Sequence, residues 1–323
     1  MAEPVGSLDR RRTFRVLSRV GARLAGAVLV LWAVASVTFI AVRLIPGDPA
    51  QAVLGGPGSQ ASPEALALVN AEYGFDQPIF LQYLRQLGRL ATGDFGRSYS
   101  LNVDVGPLVL GQLGGTLLLA VLALALAWLI ALGLAVWSTR GGSVASRVGS
   151  GLEIVAAALP HFWLATSLIV VFSIWLGALP PISTGTAAGL VLPVVTLAIP
   201  LAGFLGQIMR EALLDALDSP FVLSARARGE SESGVRRIHA LRHAALPAIS
   251  LSGWAFGSLI SGAVVVETVF ARPGLGRTLL NAVTLRDVPV VIGVVMVVAF
   301  AYILMTLLTD VATRLVDPRV QPS

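Results

Sequence analysis

Of the 323 residues, 55% are hydrophobic and only 13% charged, with a mean hydropathy of +0.81, whereas a soluble domain carries about 25% charged residues. Several uncharged runs exceed the roughly 20 residues a membrane span needs, and runs of that length offer water no face, which excludes one large soluble core. All 23 basic residues are Arg, and Lys and Cys are both absent. A Walker A site needs a Lys on the nucleotide phosphates, so the chain cannot hold one, and missing Cys excludes disulfides, thiol catalysis and Cys-based metal sites.

In chain order, residues 1–23 form an Arg-rich segment and 24–43 a first span. Arg11-Arg12-Thr13-Phe14 is similar to a twin-arginine signal and Ala33-Val34-Ala35 to a cleavage site. The apolar run continues past that point, while signal cores run only ~7–15 residues, so an uncleaved first helix is expected. Residues 44–111 are mixed in character. Pro46-Gly47-Asp48-Pro49 ends the first span, and short helices are expected over Glu64–Tyr73 and Ile79–Leu90, each with Pro just ahead of or within its first turn. The second span is expected at 112–138, and the uncharged stretch 154–209 divides at Leu179-Pro180-Pro181-Ile182 into spans at 154–177 and 190–209. A charged loop fills 210–243, a fifth span 244–266, a further loop 267–287, a sixth span 288–309 and a tail 310–323. The fold class expected is all-α with six transmembrane helices.

Arg placement orients the spans. Sixteen Arg fall in the two terminal segments, the 139–153 connection and the 210–243 loop, against seven in the alternate connections. The positive-inside rule then puts the N and C termini and the 210–243 loop in the cytoplasm. The net charge of +5 is thus read as orientation information, and no nucleic-acid partner is expected.

Catalytic chemistry finds no footing. His239 and His243 stand at i,i+4, the spacing of a zinc pair, but the sequence between them is Ala-Leu-Arg and lacks the Glu of a metalloprotease helix. There is no Gly-x-Ser-x-Gly elbow. Counted between charges, the five apolar runs hold no carboxylate, and His161 lies in the third span; proton relays need intramembrane Asp, Glu or His. Sodium coupling through broken-helix carbonyls at Pro160, Pro193 or Pro200 stays as an alternative.

The 210–243 loop holds six Arg and five acidic residues. Asp218-Ser219-Pro220 starts a helix with an oxygen-bearing cap and a Pro in the first turn. Phe221, Val222, Ala225 and Arg228 share one side of it, and Gly229 is a natural left-handed stop. A second short helix is expected from Ser231 or Ser233 to ahead of Pro247. Two readings fit this hairpin equally: a grip for another protein, or an amphipathic loop on the inner leaflet. Gly253, Gly257 and Ser261 form a small-xxx-small ridge, for packing within the chain or against a partner. Glu267 follows the fifth span and either lines a gate or pairs with Arg272 or Arg277.

Six motifs in order carry a resemblance: Phe39 through Arg43-Leu44-Ile45-Pro46-Gly47-Asp48-Pro49-Ala50, then Gln82-Tyr83-Leu84 with Gly93-Asp94-Phe95-Gly96-Arg97-Ser98, and Ser224-Ala225-Arg226-Ala227-Arg228-Gly229. Arg242-His243-Ala244-Ala245-Leu246-Pro247, Val266-Glu267-Thr268-Val269-Phe270 with Pro273-Gly274-Leu275-Gly276, and Asp317-Pro318-Arg319 complete the set. The chain resembles the B-type inner-membrane permeases of the dipeptide, oligopeptide and nickel group of binding-protein-dependent ABC importers. It departs from the general importer loop pattern in lacking Glu-Ala-Ala and in a longer spacing from Gly229 to Leu246-Pro247.

The resemblance implies a type I ABC importer permease fold in the cytoplasmic membrane of a bacterium. It implies a non-catalytic chain forming half of a channel for dipeptides or oligopeptides, with nickel chelates, glutathione or another small solute as the alternative cargo. The implied partners are a second, C-type permease, two ABC ATPase subunits and an extracytoplasmic substrate-binding protein. The chain itself would carry no cofactor, with ATP and Mg on the ATPases. Pro220, Phe221, Val222, Ala225, Arg226, Arg228 and Gly229 would contact an ATPase. Glu267, Phe270, Pro273, Gly274 and Gly276 would form an external gate or scoop.

Overall fold

The computed structural model describes residues 6–44, 48–55, 61–140 and 142–316. Asp317-Pro318-Arg319 and part of the Pro46–Pro49 turn lie outside these residues. The described chain is helical, and only an isolated bridge between Arg97 and Asp104 has strand character. In chain order the helices are α1 (Gly6–Arg43), α2 (Pro49–Val53), α3 (Pro63–Tyr73), α4 (Ile79–Ala91), α5 (Val105–Ser138), α6 (Ser143–Ala158) and α7 (His161–Leu168). They continue as α8 (Ala188–Leu217), α9 (Pro220–Ala227), α10 (Glu232–Gly234), α11 (Leu241–Val269), α12 (Leu275–Thr284) and α13 (Val288–Val316).

Five helices are long and apolar enough to cross a membrane, and six spans result if the bent pair α6–α7 counts as one. That pair departs from the straight span expected over 154–177: the chain turns by 102° at Leu159-Pro160, and residues Ile169–Trp175 continue α7 as a π-helical stretch. Pro160 favours the turn, since its ring disfavours helical backbone in the preceding residue, and Leu159 is accordingly extended. Pro193, Pro200 and Pro247 do not break their helices; α8 and α11 run through them. The helix expected to stop ahead of Pro247 therefore continues into the fifth span, and α8 carries eight residues of the charged loop beyond position 209.

The chain divides into two compact units. The first comprises residues 1–108 and 282–303, the second 109–281 and 304–323. Large apolar side chains such as Leu24, Val28, Leu129 and Trp175 are exposed along the helices, as lipid-facing surfaces require. Within the second unit α8 is the central helix, buried along most of its length against α6, α7 and α11. Small residues let it approach α6: a Cβ on Gly203 would stand 2.4 Å from the Ala157 amide nitrogen and 2.5 Å from the Glu153 carbonyl oxygen.

Candidate functional site

The charged loop is built on an apolar base. Ser219 has extended backbone and Pro220 takes the first helical position, so α9 starts where its missing N–H costs nothing. The cap is Ser219 rather than Asp218, and the Ser219 hydroxyl turns back to donate to the Ala216 carbonyl. Val222 and Ala225 are fully buried in a cluster with Leu213, Ala216, Leu217, Val235, Ala240 and Ala244. The shared side expected from spacing is thus split: these two seat the helix, while Phe221, Leu223 and Arg228 face outward. The Phe221 ring lies 4.7 Å from that of His243.

The charges stay on the surface. Arg226 donates to both Glu232 oxygens at 2.8 and 3.2 Å, and Arg228 reaches Glu230 at 3.3 Å. Arg226 holds the Glu232 carboxyl below its ordinary range and is itself raised by the hydrogen bond. Gly229 ends the hairpin's first arm at φ +85°, while Gly234 is helical at φ −65°, so Gly229 is the glycine that the turn requires. Arg236 donates to the Thr139 carbonyl and ties the second arm to the end of α5. The His239 side chain lies outside the described side chains, and no metal-binding group of His, Asp and Glu occurs among the described residues.

At the opposite end of α11 the chemistry inverts. Glu267 is fully buried, and its carboxylate pairs with neither Arg272 nor Arg277 side chain. Oε1 accepts from the Thr116 hydroxyl at 2.6 Å; Oε2 accepts the amides of Gly276 at 2.8 Å and Arg277 at 3.1 Å. The Leu275 amide donates to Thr116 Oγ1 at 2.8 Å. Three free N–H groups at the start of α12 are thereby satisfied, two by a carboxylate at the positive end of the helix.

Gly274 and Gly276 make room for this cap. A Cβ on Gly274 would fall 2.1 Å from Glu267 Oε1, and one on Gly276 2.5 Å from the Val264 Cα. Phe270 is buried and its carbonyl accepts the Ser183 amide at 2.8 Å. Arg272 lies buried, donating to Ser183 Oγ at 3.3 Å and the Gly115 carbonyl at 3.4 Å. Pro273 sits beside Gly115, its carbonyl 3.1 Å from where a Cβ there would lie. The predicted gate residues are thus one hydrogen-bonded knot joining α5, α11, α12 and the 179–186 turn.

Sequence reasoning missed three groups. Asp287, in the first unit, is buried and gathers the turn at 98–100: it accepts from the Ser98 and Ser100 hydroxyls and from the amides of Tyr99 at 3.1 Å and Ser100 at 3.0 Å. Tyr99 packs edge-on to Tyr73 and Phe75, and burial pushes its phenol above the ordinary range, with Asp287 adding to the rise. Glu153 is buried in α6 against Gly206, with no hydrogen-bond partner for either oxygen. The expected carboxylate-free third span counted from residue 154; the helix begins at Ser143 and includes this acid. Close helix approaches lie at Gly203 and Gly262, with Leu197 and His161 against the latter, whereas on the predicted ridge Gly253 packs on Thr309 and Ser261 is exposed. The Gly203-x-x-Gly206 spacing was the available signal.

A chain of membrane-crossing helices whose charged loop presents a short helix on a packed base has the form of a transport permease. Residues 123–322 match the family model described as binding-protein-dependent transport system inner membrane component, and residues 14–111 match its N-terminal companion. The chain belongs to this family of ABC importer permeases and is a multi-pass inner-membrane protein. It is 35% identical over 309 residues to a Brucella abortus protein provisionally named a peptide transport system permease, covering 93% of this chain and 97% of that protein. It is 34% identical over 310 residues to the glutathione transport system permease protein GsiC of Salmonella paratyphi A, covering 95% and 99%. Among solved structures it is similar to the inward-facing MetNI methionine ABC transporter, with a TM-score of 0.52, 19% identity, and coverage of 65% of this chain and 96% of that one. That likeness concerns the fold.

Proposed function

We propose that this chain forms half of the translocation pathway of an importer for dipeptides or oligopeptides, paired with a second, C-type permease. Two separate ATPase subunits hydrolyse ATP with Mg below it, and a substrate-binding protein delivers cargo from the other side. The lack of Lys supports the separate ATPases, since the chain cannot carry a Walker A site. The Arg distribution supports cytoplasmic termini.

The observation that carries the coupling proposal is the construction of α9. Its inward face is fixed in an apolar cluster, so a force on Phe221, Leu223 or Arg228 passes to α8 and α11 rather than deforming a loose loop. ATP-driven approach of the two ATPases would move these helices between inward- and outward-facing arrangements, each favoured by different contacts. Gly229 ends the contact helix, and Arg226 with Glu232 braces it. At the far end of α11, the knot around Glu267, Phe270, Pro273, Gly274 and Gly276 would be the rigid lip of the gate.

Reconstitution of the complete transporter in proteoliposomes tests this reading. Uptake of a labelled dipeptide should require ATP, the ATPases and the binding protein. Uptake by this chain alone under a proton or sodium gradient would overturn it. The glutathione relative supports glutathione as a second cargo, and competition between the two solutes decides between them.

A further inference from the structure

A cavity of about 660 Å³ opens within the first unit, walled by α1, α4, the 93–102 turn and the start of α13. Its depth relative to the membrane follows from how α4 sits. Ser36 and Tyr83 share a hydrogen bond at 2.7 Å, the Phe39 and Tyr83 rings lie 5.3 Å apart, and Arg43 donates to Gln82. Ser36 precedes the helix end by about 10 Å of rise, so α4 lies alongside the last part of a span, at the boundary of acyl chains and headgroups. Its exposed Ile79, Phe80, Leu81 and Leu84 suit that position.

The cavity's polar lining has an excess of cations. Five Arg and three carboxylates face it. Asp94 is taken by Arg89 at 2.9 Å, which lowers its pKa, and Asp48 accepts the Ala50 amide at 2.9 Å. Arg97 leans toward Asp104 and donates to the Asn102 carbonyl. Among the described residues Arg43 (which donates to Gln82), Arg85 and Arg286 have no carboxylate partner, and Glu72 has no cation. Arg286 is held in place by a left-handed backbone at φ +57°, directly ahead of the buried Asp287. Apolar Phe39, Val42 and Ile292 line the same cavity.

We propose that this cavity seats the headgroup of an anionic phospholipid. The phosphodiester oxygens take Arg85 and Arg286, whose forked N–H groups suit phosphate, and an acyl chain lies over Phe39, Val42 and Ile292. A cation excess of two selects an anionic headgroup over one bearing a quaternary ammonium. The site is independent of the transported solute and of which membrane face it occupies.

The test is native mass spectrometry of the full-length chain with its co-purifying subunits, equilibrated with phosphatidylglycerol or phosphatidylcholine of matched acyl chains. Phosphatidylglycerol should be retained in preference, and the Arg85→Gln/Arg286→Gln double variant should retain at least fivefold less. Arg147→Gln, on the exposed side of α6, should lose nothing. If the double variant does not elute as a folded species, Arg85→Gln alone, exposed on α4, should lose at least twofold. Equal retention of the choline lipid, undiminished binding by the folded variant, or displacement of phosphatidylglycerol by millimolar inorganic phosphate would overturn the proposal; the last would mark a site for a free anion.

Discussion

The two ends of α11 carry charged chain, and they are fastened in opposite ways. At the start, the 218–240 hairpin stands on buried Val222, Ala225, Val235 and Ala240, with its Arg226–Glu232 and Arg228–Glu230 pairs at the surface. At the finish, Glu267 is buried and spends its oxygens on Thr116 and the first amides of α12. An apolar base keeps these paired charges at the surface. A buried carboxylate is committed to its own fold, because each donor it satisfies would otherwise be stranded.

Substitutions should separate the two ends by what they disturb. Glu267→Ala strands a hydroxyl and two amides, each worth ~1–3 kcal/mol, for a total loss of about 3–9 kcal/mol; the melting temperature of the purified protein in detergent should fall accordingly, and an unchanged value would break the contrast. Gly276→Ala forces a methyl against the Val264 backbone and should cost about 1–3 kcal/mol in the same assay. Gly229→Val meets open space but the wrong backbone, so it should cost only about 1–2 kcal/mol, and it should reduce co-purification of the ATPases by more than its effect on melting.

Smallest for the fold is Arg226→Glu, whose melting temperature should match the parent while ATPase capture and substrate-stimulated ATP hydrolysis fall. The Arg226–Glu232 pair also gives this end a pH signature. Glu232 has a depressed folded-state pKa, so its contribution is present above the ordinary carboxylate range and lost as pH falls through the depressed value. Capture should therefore weaken in acid in the parent, with a smaller change in Glu232→Gln. Identical acid profiles would show that the brace plays no part.

Local signals were legible where the chain follows local rules. Ser62-Pro63 starts α3 with the Ser62 hydroxyl accepting the Ala65 amide, and Gly74 ends it in the left-handed region at φ +68°. Gly229 was likewise readable as a stop, and the family motifs around Glu267 fall on the segment that the buried carboxylate ties together. The partner of Glu267 was not readable, because the competing cations Arg272 and Arg277 are five and ten positions away in sequence while Thr116 is 151 away. Asp287 escaped notice for the same reason: its donors lie 187 to 189 residues back.

Sequence alone determined that this is a membrane protein of about six spans without a Walker A site, since span length, charge exclusion and the absence of Lys are properties of composition and order. It also marked 210–243 as the charged segment, although α8 runs on to Leu217 and α11 begins at Leu241. Tertiary structure decided which side of α9 is free, that Leu159-Pro160 folds the third span back by 102°, and that the acid after the fifth span caps a helix instead of pairing with Arg. The physical reason is that hydrophobicity and helix stops act over a few residues, whereas burial and hydrogen-bond partners depend on which distant segments the packed helices bring together.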